Sequence, residues 1–274
     1  MEKIAVIGLG IIGGSICAGL TKAGYHVDGF GRSMASIEYA KKAGYIQAQG
    51  TDLTEYDVVF IAVPPLATLD YLQNATFKNN ALVMDICGIK VDVEKAVYEK
   101  PRNYRYVGLH PMAGKETSGI ASASADLFQN ANLIITRGKQ TDENDVTEAK
   151  IYAKALGFGK IIECSAQTHD KKIALTSQLA HIVSNAYVKS PEVIGCDGFT
   201  GGSFQDMTRI AGVDETVWTP LYTHNRENII LELNALITHL SEYRDALLLK
   251  DDEKLQACLR EGRLIRETIK RDND

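Results

Sequence analysis

Lys3-Ile-Ala-Val-Ile-Gly-Leu-Gly-Ile-Ile-Gly-Gly-Ser15 is the stretch around which the first half of the chain is organised. Ile4 to Ile7 is an apolar run of strand length, and Gly8, Gly10 and Gly13 follow it at once in the spacing Gly-x-Gly-x-x-Gly. In a strand-turn-helix unit the first glycine permits the tight turn and the second lets a pyrophosphate approach the backbone. The third lets the helix pack on the strand, aiming its N-terminal amides at the phosphates. A glycine turn alone is a weak signal, but here a second strand, His26 to Phe30, returns where a βαβ unit requires it. The stretch therefore predicts a dinucleotide site formed by Gly8, Leu9, Gly10, Ile11, Ile12 and Gly13.

The second strand ends in Phe30-Gly31-Arg32-Ser33. A carboxylate at such a strand tip holds the 2'-hydroxyl of an adenosine ribose and repels a 2'-phosphate. Arg32 and Ser33 stand there instead, able to neutralise and hydrogen-bond a 2'-phosphate, which favours NADP over NAD. NAD stays open as the alternative, with Asp28 serving the ribose and Arg32 stacking on adenine or facing solvent.

Strand and helix signals then alternate. Strands are read at 57–63, 81–85, 106–109, 133–136 and 160–164, with helices at 66–74, 92–99 and 142–156 between them. Alternation of this kind marks an α/β sheet with helices on both faces, a Rossmann-type dinucleotide-binding domain expected over residues 1–165. Val63 and Pro64, at the end of the third strand, are expected beside the cofactor. From Ala166 the texture becomes helical: a long pattern to Lys189, a glycine-rich loop from Gly195 to Gly202, then further helices. Ile229, Leu233, Leu236, Leu240, Tyr243 and Leu247 recur in steps of four and three, a seven-residue seam suited to helix packing. A helix from Asp252 to about Lys270 covers only part of such a seam, so residues 166–274 read as an all-helical domain that also forms a homodimer, an intramolecular bundle being the alternative.

The chain has 274 residues, 45% of them hydrophobic, and a formal net charge of -5. That length supports a sizeable core in two domains, and the acidic balance argues against nucleic acid as a partner. No run of about 18 apolar residues is present, so no membrane span is expected. Met1-Glu2-Lys3 leads straight into a core strand, and the expectation is a cytoplasmic protein. Five cysteines without Cys-x-x-Cys spacing read as reduced thiols rather than disulfides or a metal site.

Ligands of such sheets bind at the carboxyl ends of the strands. His110, in Gly108-Leu-His-Pro-Met-Ala-Gly114, is placed directly after one of them. A lone histidine is more often a satisfied polar residue than a catalyst, but Asp85 and Lys90 follow the preceding strand, and His169, His181 and Arg209 lie in the helical half. His169 and His181 are twelve residues apart, which places them on roughly one face of the long helix.

These residues resemble the prephenate and arogenate dehydrogenases of tyrosine biosynthesis. The resemblance runs over nearly the whole chain: the opening glycine turn, the His-Pro-Met-Ala-Gly element at His110, His169-Asp170, Ser177-Gln-Leu-Ala-His181, and Gly202-Ser-Phe-Gln-Asp-Met-Thr-Arg-Ile-Ala211 followed by Trp218 and Asn225. It implies oxidative decarboxylation of prephenate with hydride transfer to a nicotinamide cofactor, arogenate being the alternative substrate. The same resemblance implies that His110 takes the proton of the ring hydroxyl and that Arg209 clamps a carboxylate. Ser177, Gln178 and His181 would line the substrate pocket, His169 and Asp170 would lie at its entrance, and Gly202 would let the backbone approach the substrate. Many members carry a serine thought to orient the catalytic histidine, where this chain has Gly88 in Asp85-Ile-Cys-Gly-Ile-Lys90. Cys87, a backbone group or a water would then have to take over. Gln178 likewise stands where a histidine is common. Two other readings compete: a β-hydroxyacid dehydrogenase using Lys171 or Lys172, and a nucleotide sensor without turnover.

Overall fold

A computed structural model of the chain describes residues 2–115 and 117–269. The first part alternates β1 (Lys3–Ile7), α1 (Ile11–Lys22), β2 (His26–Phe30), α2 (Met34–Lys42), β3 (Val58–Ile61), α3 (Pro65–Asn74), β4 (Leu82–Asp85), α4 (Val91–Tyr98) and β5 (Arg105–Met112). β6 (Asn132–Thr136), α5 (Glu143–Ala155) and β7 (Ile161–Cys164) complete a seven-stranded sheet of order β2-β1-β3-β4-β5-β6-β7. β1 to β5 run parallel, β6 pairs antiparallel with β5, and β7 is parallel to β6.

The central strands are apolar through their middles because both sheet faces are covered. Ile4, Val6, Phe60 and Met84 meet Ile16 and Leu20 of α1 and Val146 and Tyr152 of α5 on one face. Ala5, Ile7, Val59 and Ile61 meet Leu72 of α3 and Val93 and Val97 of α4 on the other. Each fully buried aliphatic side chain of this kind stabilises the fold by about 1.5–3 kcal/mol.

One strand differs from the sequence reading. β5 does not stop at Leu109; it continues to Met112, so His110 lies within the strand, opposite Ile134 of β6. The antiparallel partner carries β5 onward. β4 leaves it after the pair Asp85 and Gly108, so His110 still projects past the carboxyl end of the parallel strands.

After β7, α6 (Ala166–Ile173) starts at Ser165, whose hydroxyl accepts from the Thr168 amide. A π-helical turn, Ala174–Leu179, joins it to α7 (Ala180–Tyr187), and α8 (Gly202–Thr208) and α9 (Glu215–Thr223) follow. These helices belong to the same compact unit as the sheet, Met1–Asn225, whereas the change of texture in the sequence falls at Ala166. The tie is physical: α6 contacts α4, and α9 contacts α3.

The second unit, Arg226–Asp274, holds α10 (Arg226–Leu249) and α11 (Asp252–Thr268). The two helices pair, and the Tyr243 hydroxyl donates to the Cys258 carbonyl at 3.2 Å. Ile229 of the seven-residue seam is buried and Leu233, Leu236 and Tyr243 are half-buried, while Leu240 and Leu247 are exposed. Lys270 lies outside the described residues. Among the described residues no helix is long and apolar enough to cross a membrane.

Candidate active site

Strand order reverses between β1 and β3, the crevice where sheets of this type receive a dinucleotide. Gly8 leaves β1 at φ +96°, and a Cβ there would lie 2.2 Å from the Ala62 carbonyl oxygen. A Cβ on Gly13 would lie 1.8 Å from the Gly8 carbonyl oxygen, so strand and helix close only around glycine. Gly10 is the opposite case, for a Cβ there would meet nothing within 4 Å. Gly10 also caps α1 without any side-chain hydrogen bond. The first-turn amides after it have no acceptor within the helix, which suits an anion on that open side. Leu9 is buried, Ile11 and Ile12 are half-buried, and Val63, which Pro64 follows, packs against the turn, its methyl 2.7 Å from where a Gly8 Cβ would stand. The cradle fits a dinucleotide pyrophosphate.

At the tip of β2, Arg32 is exposed and Ser33 caps α2, its hydroxyl accepting from the Ser36 amide at 3.2 Å. Asp28, the alternative ribose partner, is buried and already accepts from the Ala48 amide at 2.9 Å and the Tyr56 hydroxyl at 2.9 Å.

Beyond the end of β4 lies a buried polar group. Asp85 accepts from Lys90 Nζ at 2.6 Å, the Tyr106 hydroxyl at 2.6 Å and the Cys87 amide at 2.8 Å. The Asp85 and Lys90 side chains are fully buried. Burial, followed by the charge of Asp85, holds the Tyr106 hydroxyl well above the ordinary phenol range. The same two causes push the Cys87 thiol up to about 12, so it is no base at neutral pH.

His110 lies next to this group. Its Nδ1 is 2.8 Å from Nε2 of His169, and His169 Nδ1 is 2.7 Å from Oδ1 of Asp170. Asp170 is held in turn by the Lys90 amide at 2.8 Å and the Val91 amide at 2.9 Å, so it caps α4, which has no cap of its own. His169 and Asp170 are each 1% exposed. The pocket entrance expected for them is therefore replaced by a place behind His110, because α6 docks on the N-terminus of α4. Burial first, then the neighbouring His169 and Lys90, holds His110 well below the ordinary imidazole range. Burial likewise lowers His169, against the opposing hydrogen bond it donates to Asp170.

The helical side completes the surroundings. A Cβ on Gly88 would lie 3.7 Å from both Nε2 and Cε1 of His110 and 3.2 Å from a methyl of Leu221 in α9. His181 Nδ1 donates to the Ser177 carbonyl at 2.9 Å, and its ring rests 4.0 Å from that of Trp218. The expectation of one helix face does not hold for an unbroken α-helix, in which twelve residues would set His169 and His181 about 120° apart; the wider π turn between them reduces that angle. Ser177 is half-buried in the π turn. Gln178 is buried, its amide donating to the Leu221 carbonyl at 3.0 Å and accepting from Asn225 at 2.6 Å, which braces α9 against the turn. Arg209 is exposed at the C-terminus of α8, which packs on α7 through the Ser184 hydroxyl donating to the Met207 carbonyl at 2.6 Å. Gly202 begins α8 with open space on its Cβ side. Lys171 and Lys172 are exposed. The sequence reading passed over Tyr106 and Leu221, which no motif or spacing marks.

Among the described residues no group of three His, Cys, Asp or Glu is placed to hold a metal ion. What remains is an imidazole held below its ordinary titration range at the carboxyl end of the sheet that also carries the dinucleotide cradle, an arrangement suited to proton removal coupled to hydride transfer.

Comparison with known proteins follows the same lines. Residues 18–163 match the family model described as the nucleotide-binding domain of prephenate dehydrogenase, and residues 165–261 match its dimerization domain. The prephenate dehydrogenase of Lactococcus lactis is 30% identical over 98% of this chain and 78% of that one. The crystal structure of prephenate dehydrogenase from Aquifex aeolicus, in complex with hydroxyphenyl propionate and NAD+, aligns with a TM-score of 0.85 at 26% identity, covering 98% of this chain and 99% of that one. The arogenate dehydrogenase of Synechocystis aligns with a TM-score of 0.78 at 25% identity, over 97% of this chain and 99% of that one. With both of its halves matched, this chain belongs to the prephenate dehydrogenase family.

Proposed function

We propose that the protein converts prephenate to 4-hydroxyphenylpyruvate and carbon dioxide, passing a hydride to NADP. The observation that carries this reading is His110, placed past the carboxyl end of the parallel strands with its Nδ1 on His169, in a chain of this family. When bound, the nicotinamide supplies an acceptor for the hydride from C4 of the substrate ring. The imidazole nitrogen of His110 turned away from His169 accepts the proton of the 4-hydroxyl as that hydride departs. Electrons of the bond to the ring carboxylate enter the ring and reach the 4-oxygen as carbon dioxide leaves; the ring becomes aromatic, and the proton held on His110 returns to that oxygen to give the phenol. Neither His169 nor Cys87 competes for the proton, since burial disfavours the charged form of each.

Arg209 offers a planar fork for a substrate carboxylate. His181, steadied by the Ser177 carbonyl and the Trp218 ring, lines the ring-binding side with Ser177, and Gly202 leaves room for close approach. Gln178 serves by bracing α9. Residues 1–165 supply the dinucleotide site, and residues 166–274 supply the substrate groups and a homodimer contact, for which Leu240 and Leu247 are exposed. Arg32 beside a strand tip without a free carboxylate supports NADP.

One spectrophotometric assay tests this reading, with prephenate and arogenate each offered with NADP and NAD. Fastest turnover of prephenate with NADP is expected. Preference for arogenate or for NAD would move the assignment within the family, and no reduction of either cofactor would end it.

A further inference from the structure

A base needs one particular ring nitrogen free of hydrogen and aimed at its target, and Gly88, where a Cβ would stand 3.7 Å from His110 Nε2, has no side chain with which to hold it. We propose that His169, backed by Asp170, is a positioning residue that fixes the tautomer and the ring plane of His110. The inference rests on the proposed function and deepens it at the same site.

The order of donors follows from chemistry. A carboxylate has no hydrogen to give, so Asp170 Oδ1 accepts from His169 Nδ1. A neutral His169 then has a lone pair at Nε2, and the contact of 2.8 Å to His110 Nδ1 requires His110 to donate there. A neutral His110 with its hydrogen on Nδ1 has a lone pair on Nε2, the atom that faces the position of Gly88. Asp170 cannot swing away, since its two oxygens are fixed by the Lys90 and Val91 amides at the start of α4. The ring of His169 is therefore clamped at both nitrogens and buried, and it orients His110 from behind without reaching the substrate. Taking up the substrate proton makes His110 a cation whose Nδ1 hydrogen is already directed at an acceptor, and no group has to reorganise.

Two variants separate this role from mere packing. His169→Phe keeps the bulk and removes the acceptor, whereas His169→Gln presents a carbonyl oxygen that can accept from Nδ1 of His110. With His169→Phe, kcat is expected to fall about 10- to 1,000-fold with the substrate KM changed less than about threefold, and His169→Gln is expected to restore most of the loss. In the unmodified protein, the nitrogen-15 signals of His110, identified by their disappearance in His110→Asn, should show hydrogen on Nδ1 and none on Nε2. That measurement decides the matter even if His169→Phe does not fold. Hydrogen on Nε2 of His110, a parent-like kcat in His169→Phe, or equal losses in both variants would overturn the proposal. A parent-like rate in His110→Asn would instead sink the base assignment on which it stands.

Discussion

The Tyr56 hydroxyl donates to the Asp28 carboxylate at 2.9 Å, and with the Ala48 amide on the other oxygen that bond takes the carboxylate of β2 out of the cofactor crevice. On the proposed function, recognition of the adenosine ribose falls to Arg32 and to the start of α2. Arg32→Ala is therefore expected to lower kcat/KM for NADP by about 10- to 100-fold, the scale of a charge-assisted pair, and to change the value for NAD little. Steady-state kinetics with both cofactors checks this, and an unchanged NADP preference would remove Arg32 from the site.

His110 and Arg209 are expected to fail in different ways. His110→Asn should bind substrate and lose about 100- to 10,000-fold in kcat, because general-base assistance is lost while the pocket stays intact. Arg209→Gln should raise the substrate KM by about 10- to 100-fold with a smaller change in kcat, as for loss of a charged hydrogen bond made in the ground state. The two KM-against-kcat patterns, measured side by side, decide between them, and a parent-like KM in Arg209→Gln would place the carboxylate elsewhere.

The low position of His110 has consequences for pH. Only the neutral ring accepts a proton, and burial, His169 and Lys90 together hold its titration below the ordinary value. The acid limb of kcat/KM should accordingly lie below about pH 6.5. Stability follows the same sign: the unfolded chain binds the proton near pH 6.5 while the folded ring does not, so stability attributable to this group is lost as the pH falls below that value. The slope is about 1.4 kcal/mol per pH unit until the folded ring titrates. Urea unfolding at pH 7.5 and 5.5 should show a smaller drop for His110→Asn than for the parent.

Lys90 and Asp85 form a buried ion pair at 2.6 Å, completed by the Tyr106 hydroxyl. Lys90→Met would leave a buried carboxylate without its cation and is expected to cost about 3–5 kcal/mol of stability. Denaturant titration measures it; a loss under about 1 kcal/mol would mean that the Tyr106 and Cys87 hydrogen bonds suffice for Asp85.

Local chemistry made part of this protein legible from its sequence. The glycine turn from Gly8 to Gly13 is legible because its spacing and the left-handed φ of Gly8 are local, although the Ala62 carbonyl that crowds Gly8 comes from β3's end, and it does mark the crevice between β1 and β3. The alternation of apolar runs with helical patterns likewise gave the sheet, and the composition of 166–189 gave helix, because both patterns depend on residues a few positions apart. Long-range contacts carried no such signal. The extension of β5 through His110 depends on an antiparallel partner whose aligned residues lie 24 positions later, at Ile134. The π turn at Ala174–Leu179 has no mark in the residue pattern, although it sets the relation between His169 and His181. The chain of bonds from Asp170 through His169 to His110 exists only because a helix of the second half caps one of the first, joining Asp170 to Lys90 and Val91 across about 80 residues. Sequence by itself determined the sheet and named the residues proposed to carry the chemistry; only the tertiary structure decided what holds His110, since a hydrogen-bond partner is chosen by where the folded chain brings it and not by its place in the order of residues.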